Sequence, residues 1–199
     1  IRALHVALIL RKNIFLTGDA ETGKTRFLKF IIAYYNIIHQ VNIKITASIG
    51  KAALELKSSG KTGRTIHSVF KIGKNISSNK VKWKLRDKGY CDWLRKVRAI
   101  IIDECSMVND DLLDSIIYLF TRSGITELGK VHFIITGDFF QLPPASGGMY
   151  FLNKEWYNDK SSGLLHDLWK SLDLVYVGLT EIFRQNDPEF KHQLHQLVI

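Results

Sequence analysis

The residues Gly18-Asp19-Ala20-Glu21-Thr22-Gly23-Lys24-Thr25 obey the spacing G-x-x-x-x-G-K-[ST], and their chemistry is that of holding phosphate. Gly18 and Gly23 let the backbone turn tightly and aim its N–H groups inward at an anion. Lys24 carries an ammonium able to reach the β- and γ-phosphates, and the Thr25 hydroxyl is placed to hold Mg²⁺. Asp19, Ala20, Glu21 and Thr22 form the body of the loop, and Arg26 follows it. Glu21 is the discordant letter. An inward carboxylate at ~4 Å would repel the phosphates by ~1–4 kcal/mol, so its side chain is expected to turn outward, to solvent or a nearby cation.

Two further strand ends carry complementary chemistry. Asp103-Glu104 closes the apolar run RAIIID. In an open α/β sheet ligands bind beyond the carboxyl ends of the strands, so these acids should emerge beside the phosphate loop. Asp103 is the candidate metal ligand, directly or through water, and Glu104 the candidate base for an attacking water. The next apolar run leads into Gly137-Asp138-Phe139-Phe140-Gln141-Leu142-Pro143-Pro144, where the neutral amide of Gln141 can sense a γ-phosphate or the attacking water.

The elements that must position these residues are legible from hydrophobic spacing. Strands are expected at Lys12–Thr17, Ile43–Ala47, Arg98–Asp103, Val131–Thr136 and Asp173–Leu179. Helices are expected over Lys24 to about Gln40, with Phe27, Leu28, Ile31, Ile32 and Tyr35 inward, over Lys51–Ser58, and around Leu112–Phe120. A last helix opens at Asp187-Pro188-Glu189, a cap followed by a first-turn proline and acid. Short apolar strands alternating with helices predict an α/β fold, a mostly parallel sheet covered on both faces. The polar segment at about 73–90 interrupts the alternation. Val81, Trp83 and Leu85 stand there at period two, which predicts an inserted ribbon or extended arm with its lysines outward.

Charge adds a partner class. Residues 44–98 hold fifteen Lys or Arg against Glu55, Asp87 and Asp92, so this stretch carries +12 of a chain whose net charge is +9. Such a basic block fits either a solvated surface or a polyanion partner, most simply nucleic acid. Of the two cysteines, Cys91 and Cys105, the second follows an apolar strand and reads as a core thiol, which favours a reducing intracellular setting. No apolar run approaches the ~18 residues of a membrane span. His192 and His195 stand three apart without a third ligand at metal-site spacing. The chain starts at Ile1 and stops inside a helical pattern, and so reads as a piece of something longer.

Taken in order, GDAETGKT, TASIGKAA (46–53), GRTIHSVF (63–70), IIDECSM (101–107), GDFFQLPP (137–144) and LTEIFRQ (179–185) resemble the Pif-type DNA helicases of superfamily one, across nearly the whole chain. The resemblance implies a RecA-like P-loop motor domain over 1–186, with ATP and Mg²⁺ at the carboxyl edge of the sheet. Residues 187–199 become a helix leading to a second motor domain. It implies 5′-to-3′ translocation on single-stranded DNA by a monomer, with forked or tailed duplexes as the substrates unwound. Arg184 becomes a candidate arginine finger. Thr46, Ser48, Lys51, Thr65, His67, Ser68 and Phe70 become candidates for a single-strand track, hydroxyls for phosphate oxygens and Phe70 for base stacking. Nuclear, mitochondrial and viral sites of action all stay open.

The sequence departs from the family at Glu21, where glycine is usual, at Ile49, and at Leu128-Gly129-Lys130 in place of Phe-Gly-Gly. Two rival readings follow. A P-loop kinase for a small molecule would leave the basic block and GDFFQLPP without a purpose. A P-loop module that binds nucleic acid with weak or lost ATPase would make Glu21 the lesion.

Overall fold

A computed structural model describes residues 2–18, 22–37, 42–73, 78–108, 110–123, 131–138 and 172–179. A short helix α1 (Arg2–Leu4) and a π-helical turn (His5–Ile9) lead into β1 (Ile14–Gly18) and α2 (Lys24–Ile37). β2 (Ile43–Ala47), α3 (Gly50–Glu55), β3 (Arg64–Thr65) and α4 (Ile66–Phe70) follow. Then come α5 (Ser78–Lys84), α6 (Lys88–Arg95), β4 (Ala99–Asp103), a 3₁₀ turn (Cys105–Met107), α7 (Asp110–Arg122), β5 (His132–Gly137) and β6 (Val175–Leu179).

The six strands form one sheet in the order β3-β2-β4-β5-β1-β6, and every pairing is parallel. β1 is therefore interior, between β5 and β6, with the phosphate-loop residues leaving its carboxyl end. The apolar runs are continuous because both faces are covered. Along β4, Ile100 and Ile102 enter one core while Ala99 and Ile101 enter the other, the period-two alternation of a strand. The first core packs the sheet against α4 to α7 through Phe70, Leu94, Ile116, Phe120 and Phe133, all buried. The second packs it against α2 and α3 through Leu28, Ile31, Ile32 and Ala53. Each fully buried Leu, Ile or Phe contributes about 1.5–3 kcal/mol, so two such cores hold the strand ends in fixed register.

The expected parallel α/β sheet is present, with strand bounds within two residues of expectation. The helix after β1 buries Leu28, Ile31, Ile32 and Tyr35, while Phe27 is only partly buried. The expectation of a ribbon within 73–90 is wrong: its described residues form α5 and the start of α6. Val81 and Leu85 are four apart and so lie on one helix face as well as on one strand face. Val81 is buried and Leu85 partly so, while Trp83 points outward with the Arg86 guanidinium 4.2 Å from its ring centroid. Asp87 then caps α6, its carboxylate accepting from the Tyr90 amide at 3.1 Å. The predicted helix at 187, together with residues 139–171, lies outside the described residues.

Candidate active site

Four parallel strands present chemistry at one edge. Gly18 ends β1, Asp103 ends β4, Gly137 ends β5 with Asp138 next to it, and Ser48 follows β2. Gly18 has φ +154°, and a Cβ there would lie 2.5 Å from the Leu179 carbonyl oxygen at the end of β6. The close approach of β6 to the loop thus demands glycine. Gly23, with φ +93°, opens α2, and its carbonyl accepts from the Phe27 amide at 2.9 Å.

Lys24 is buried, its ammonium donating to the Gly18 carbonyl at 2.7 Å. A lysine taken out of water this far needs an acceptor or counter-charge, and several carboxylates supply the second. Asp103 is 4% exposed. Its Oδ1 accepts from the Thr136 hydroxyl at 2.5 Å and from the Glu104 amide at 2.9 Å. Burial pushes the Asp103 carboxyl up; the two hydrogen bonds and Lys24 pull it down without fully offsetting burial, and Glu55 adds to the rise. The Glu104 carboxyl is raised for the same first reason, burial, and then by Asp103 beside it; Asp138 and Glu55 add to the rise and Lys24 opposes it.

Glu104 has φ 53° and ψ 47°, a left-handed backbone unusual for a non-glycine residue. That turn swings the side chain off the line of β4. Its Oε2 is buried with no hydrogen-bond partner among the described residues. A buried carboxylate oxygen without a donor is costly in the fold alone and makes Glu104 a candidate for chemistry. Gly137 makes room for this turn, since a Cβ there would meet the Cys105 sulfur at 2.5 Å.

The donor set fits Mg²⁺. Asp103, Glu104, Asp138 and Glu55 act electrostatically on one another around one ammonium, a surplus of negative charge suited to a hard divalent ion. Among the described residues no three His, Cys, Asp or Glu converge as a self-sufficient metal cage. A site of Thr25 and Asp103, completed by phosphate oxygens and water, matches the preference of Mg²⁺ for few protein ligands. The structure thus brings together Gly18, Thr22, Lys24, Asp103 and Glu104, with Gly23 and Thr25 flanking Lys24 in the chain. Arg26 is exposed on the first turn of α2. Asp19, Ala20, Glu21, Gln141 and Arg184 lie outside the described residues. Thr136 and Asp138 were missed as site residues. The only signal for the first was a hydroxyl in the last apolar position of VHFIIT, and Asp138 stood unread beside Gly137.

Burial divides the residues of the expected single-strand track. Pairing of Ala47 with Thr65 sets Ser48 and Lys51 beside the start of α4. Lys51 and Ser68 are exposed and His67 is half-buried. Thr65 caps α4, accepting from the Ser68 amide at 3.4 Å. Ser48 donates its amide to the Asp103 carbonyl at 3.2 Å, so the track candidates and the acidic pair sit at the ends of neighbouring strands. Two candidates are corrected. Thr46 is fully buried, its hydroxyl donating to the Ile101 carbonyl at 2.6 Å, because it lies inside β2 rather than at its tip. Phe70 is fully buried too, edge-on to Trp93 and Phe120, so its ring is core and offers no face to a base.

Comparison with known proteins agrees with this geometry. The family model described as PIF1-like helicase matches residues 5–198. The chain is 33% identical over 191 residues to the ATP-dependent DNA helicase RRM3 of Saccharomyces cerevisiae, covering 94% of this chain and 25% of that protein. The crystal structure of Pif1 helicase from Candida albicans superposes with a TM-score of 0.72 at 28% identity, over 98% of this chain and 42% of that one. Pif1 helicase from Bacteroides, solved in complex with ADP-AlF3 and ssDNA, superposes with a TM-score of 0.60 at 29% identity, over 98% and 44%. The chain therefore spans about a quarter of the curated relative and under half of each solved neighbour. Its sheet is that of their RecA-like domain.

Proposed function

Because the chain belongs to the PIF1-like helicase family, we propose that it is the ATP-hydrolysing motor domain of an enzyme that moves 5′ to 3′ along single-stranded DNA and unwinds forked or tailed duplexes. The observation that carries this reading is the meeting of Lys24, Asp103 and Glu104, whose Oε2 is buried without a partner among the described residues, at the carboxyl edge of β1 and β4. Binding of ATP with Mg²⁺ would supply the phosphoryl group whose transfer to water drives motion.

The chain's own residues divide the work. Backbone amides between Gly18 and Gly23 and the start of α2 bind phosphate oxygens. Lys24 exchanges its Gly18 carbonyl for phosphate, and its ammonium then meets the charge that grows in the transition state. Thr25 and Asp103 hold the cation, with Thr136 fixing the Asp103 carboxylate in one rotamer. Glu104 orients the attacking water and takes its proton; a carboxyl raised by burial is a better proton acceptor than an exposed one. Gln141 and Arg184 complete the site as sensor and finger in the same reading. An intracellular site of action goes with the free, buried thiols of Cys91 and Cys105. With half of a two-domain cleft, residues 1–199 alone are expected to bind nucleotide weakly and to turn it over little.

The test is phosphate release and strand displacement by the full-length protein on 5′- and 3′-tailed duplexes. DNA-stimulated ATPase and unwinding of the 5′-tailed substrate are expected, both abolished by Lys24→Ala and by Glu104→Gln. Nucleic-acid binding with no hydrolysis for either substitution to remove would instead make the protein a binding module.

A further inference from the structure

The sheet edge away from β1 carries a cationic cleft that shares only Ser68 with the expected track and nothing with the phosphate loop. β3 is two residues long and pairs only with Thr46 and Ala47, so the outer edge of β2 before Thr46 is left open. That edge forms one wall of a cleft of about 620 Å³, with Trp93 of α6 opposite and Lys44, Lys61, Arg64 and Lys71 around it. Among the described residues one carboxylate lines it, that of Asp87, already engaged in capping α6. None of the four cations makes an ion pair with a described carboxylate.

Lys44 is the most constrained of them. Its ammonium sits 4.9 Å over the Trp93 ring, and burial together with Lys61 lowers its pKa. Half-buried positive groups that repel one another lose that cost when an anion enters between them. Arg64 donates to the Ser68 hydroxyl at 2.6 Å, and Ser68 belongs both to the cleft and to the track. The cleft thus begins where the track ends.

We propose that this cleft is a second nucleic-acid site, in which Lys44, Lys61, Arg64 and Lys71 take the phosphodiester backbone of single-stranded DNA continuing past Ser68. It rests on the proposed function and extends it by one contact surface. A peptide strand added to the sheet is disfavoured, because the open edge offers only Ile43 to Ile45, too short to set a register. Phosphates need no such ladder; they need point charges, which the cleft has in excess.

The experiment is fluorescence anisotropy with labelled oligothymidylates of increasing length on the full-length protein, wild type against Lys44→Gln/Lys61→Gln, with Lys61→Gln alone as the variant least able to disturb folding. In wild type, affinity should keep rising with length after the shortest binding oligomer. In the double variant the shortest should bind as before and longer ones at least fivefold more weakly. Two lost phosphate contacts should lower the slope of log affinity against log salt by about 1.4, and the single variant by about 0.7. Unchanged slopes and affinities, with DNA-stimulated ATPase intact, overturn the cleft and leave the proposed function standing. Oligoglutamate displaced by these substitutions while oligothymidylate is unaffected assigns the cleft to an acidic peptide and also overturns it. Failure of every oligomer to bind overturns both.

Discussion

Replacing Glu104 with glutamine should stabilise the protein while stopping it. The side chain keeps its shape, so packing around the left-handed turn at φ 53° is undisturbed. What disappears is a carboxylate whose Oε2 is buried without a partner among the described residues, and on which Asp103, Asp138 and Glu55 act against the single opposing charge of Lys24. Glutamine still places a polar amide there, so the gain comes from the lost charge: two like charges about 4 Å apart repel by about 1–4 kcal/mol, and because Glu104 is only half-buried the lower end applies. A gain of about 1 kcal/mol raises the Tm of a domain this size by about 2–4 °C. The sign with pH is fixed. The folded-state pKa of Glu104 lies above its unfolded value, so the native state is penalised as pH rises through the folded pKa and the penalty vanishes at acid pH. The gain from Glu104→Gln should therefore be present at pH 7.5 and shrink as the wild-type carboxyl takes up its proton. Thermal unfolding of both proteins without nucleotide at pH 7.5 and pH 5 reads this directly, and steady-state phosphate release should fall by about 10²–10⁴-fold. A variant less stable than wild type at pH 7.5, or equally stabilised at both pH values, would refute the view that Glu104 is a carboxylate held at a cost for its chemistry.

Other outcomes follow from the same contacts. Thr136→Val preserves volume and removes the hydroxyl that holds Asp103 Oδ1, so the Mg²⁺ concentration for half-maximal ATPase should rise about tenfold, with stability lowered by about 1 kcal/mol. Phe70→Leu should cost about 1–2 kcal/mol in urea unfolding and leave single-strand affinity unchanged, since the ring is core. His132 is buried, hydrogen-bonded to the Tyr35 hydroxyl and to the Lys12 carbonyl, and burial lowers its pKa. Its unfolded form binds the proton first, so stability should fall as pH drops below about 6.5, and the fall should be weaker in His132→Gln when urea midpoints are compared.

How far the residues announced the fold depended on how local each signal was. The strand Ala99–Asp103 was legible because a strand covered on both faces is apolar throughout, and the loop Gly18–Thr25 because glycine and lysine are demanded there by backbone geometry and charge. The segment containing Val81, Trp83 and Leu85 misled because Val81 and Leu85 satisfy period two and period four alike; the contact of Val81 with the core decided for helix. Thr46 and Phe70 misled because a motif's polar or aromatic letter does not say which side of the sheet or helix receives it.

By itself the sequence determined the two glycines and the lysine of the candidate phosphate loop, the acidic pair at the end of β4 and the alternation that makes a parallel sheet. These rest on residue type and short spacing, which the backbone translates the same way wherever it lies. Only the tertiary structure decided that Thr136 braces Asp103, that Gly18 lies against Leu179 and that Gly137 yields space to Cys105. Only the tertiary structure, too, opened the cleft of Lys44, Lys61, Arg64 and Lys71 at the sheet edge. Such contacts join residues far apart in the chain, and strand order, which local spacing does not encode, is what brings them within reach.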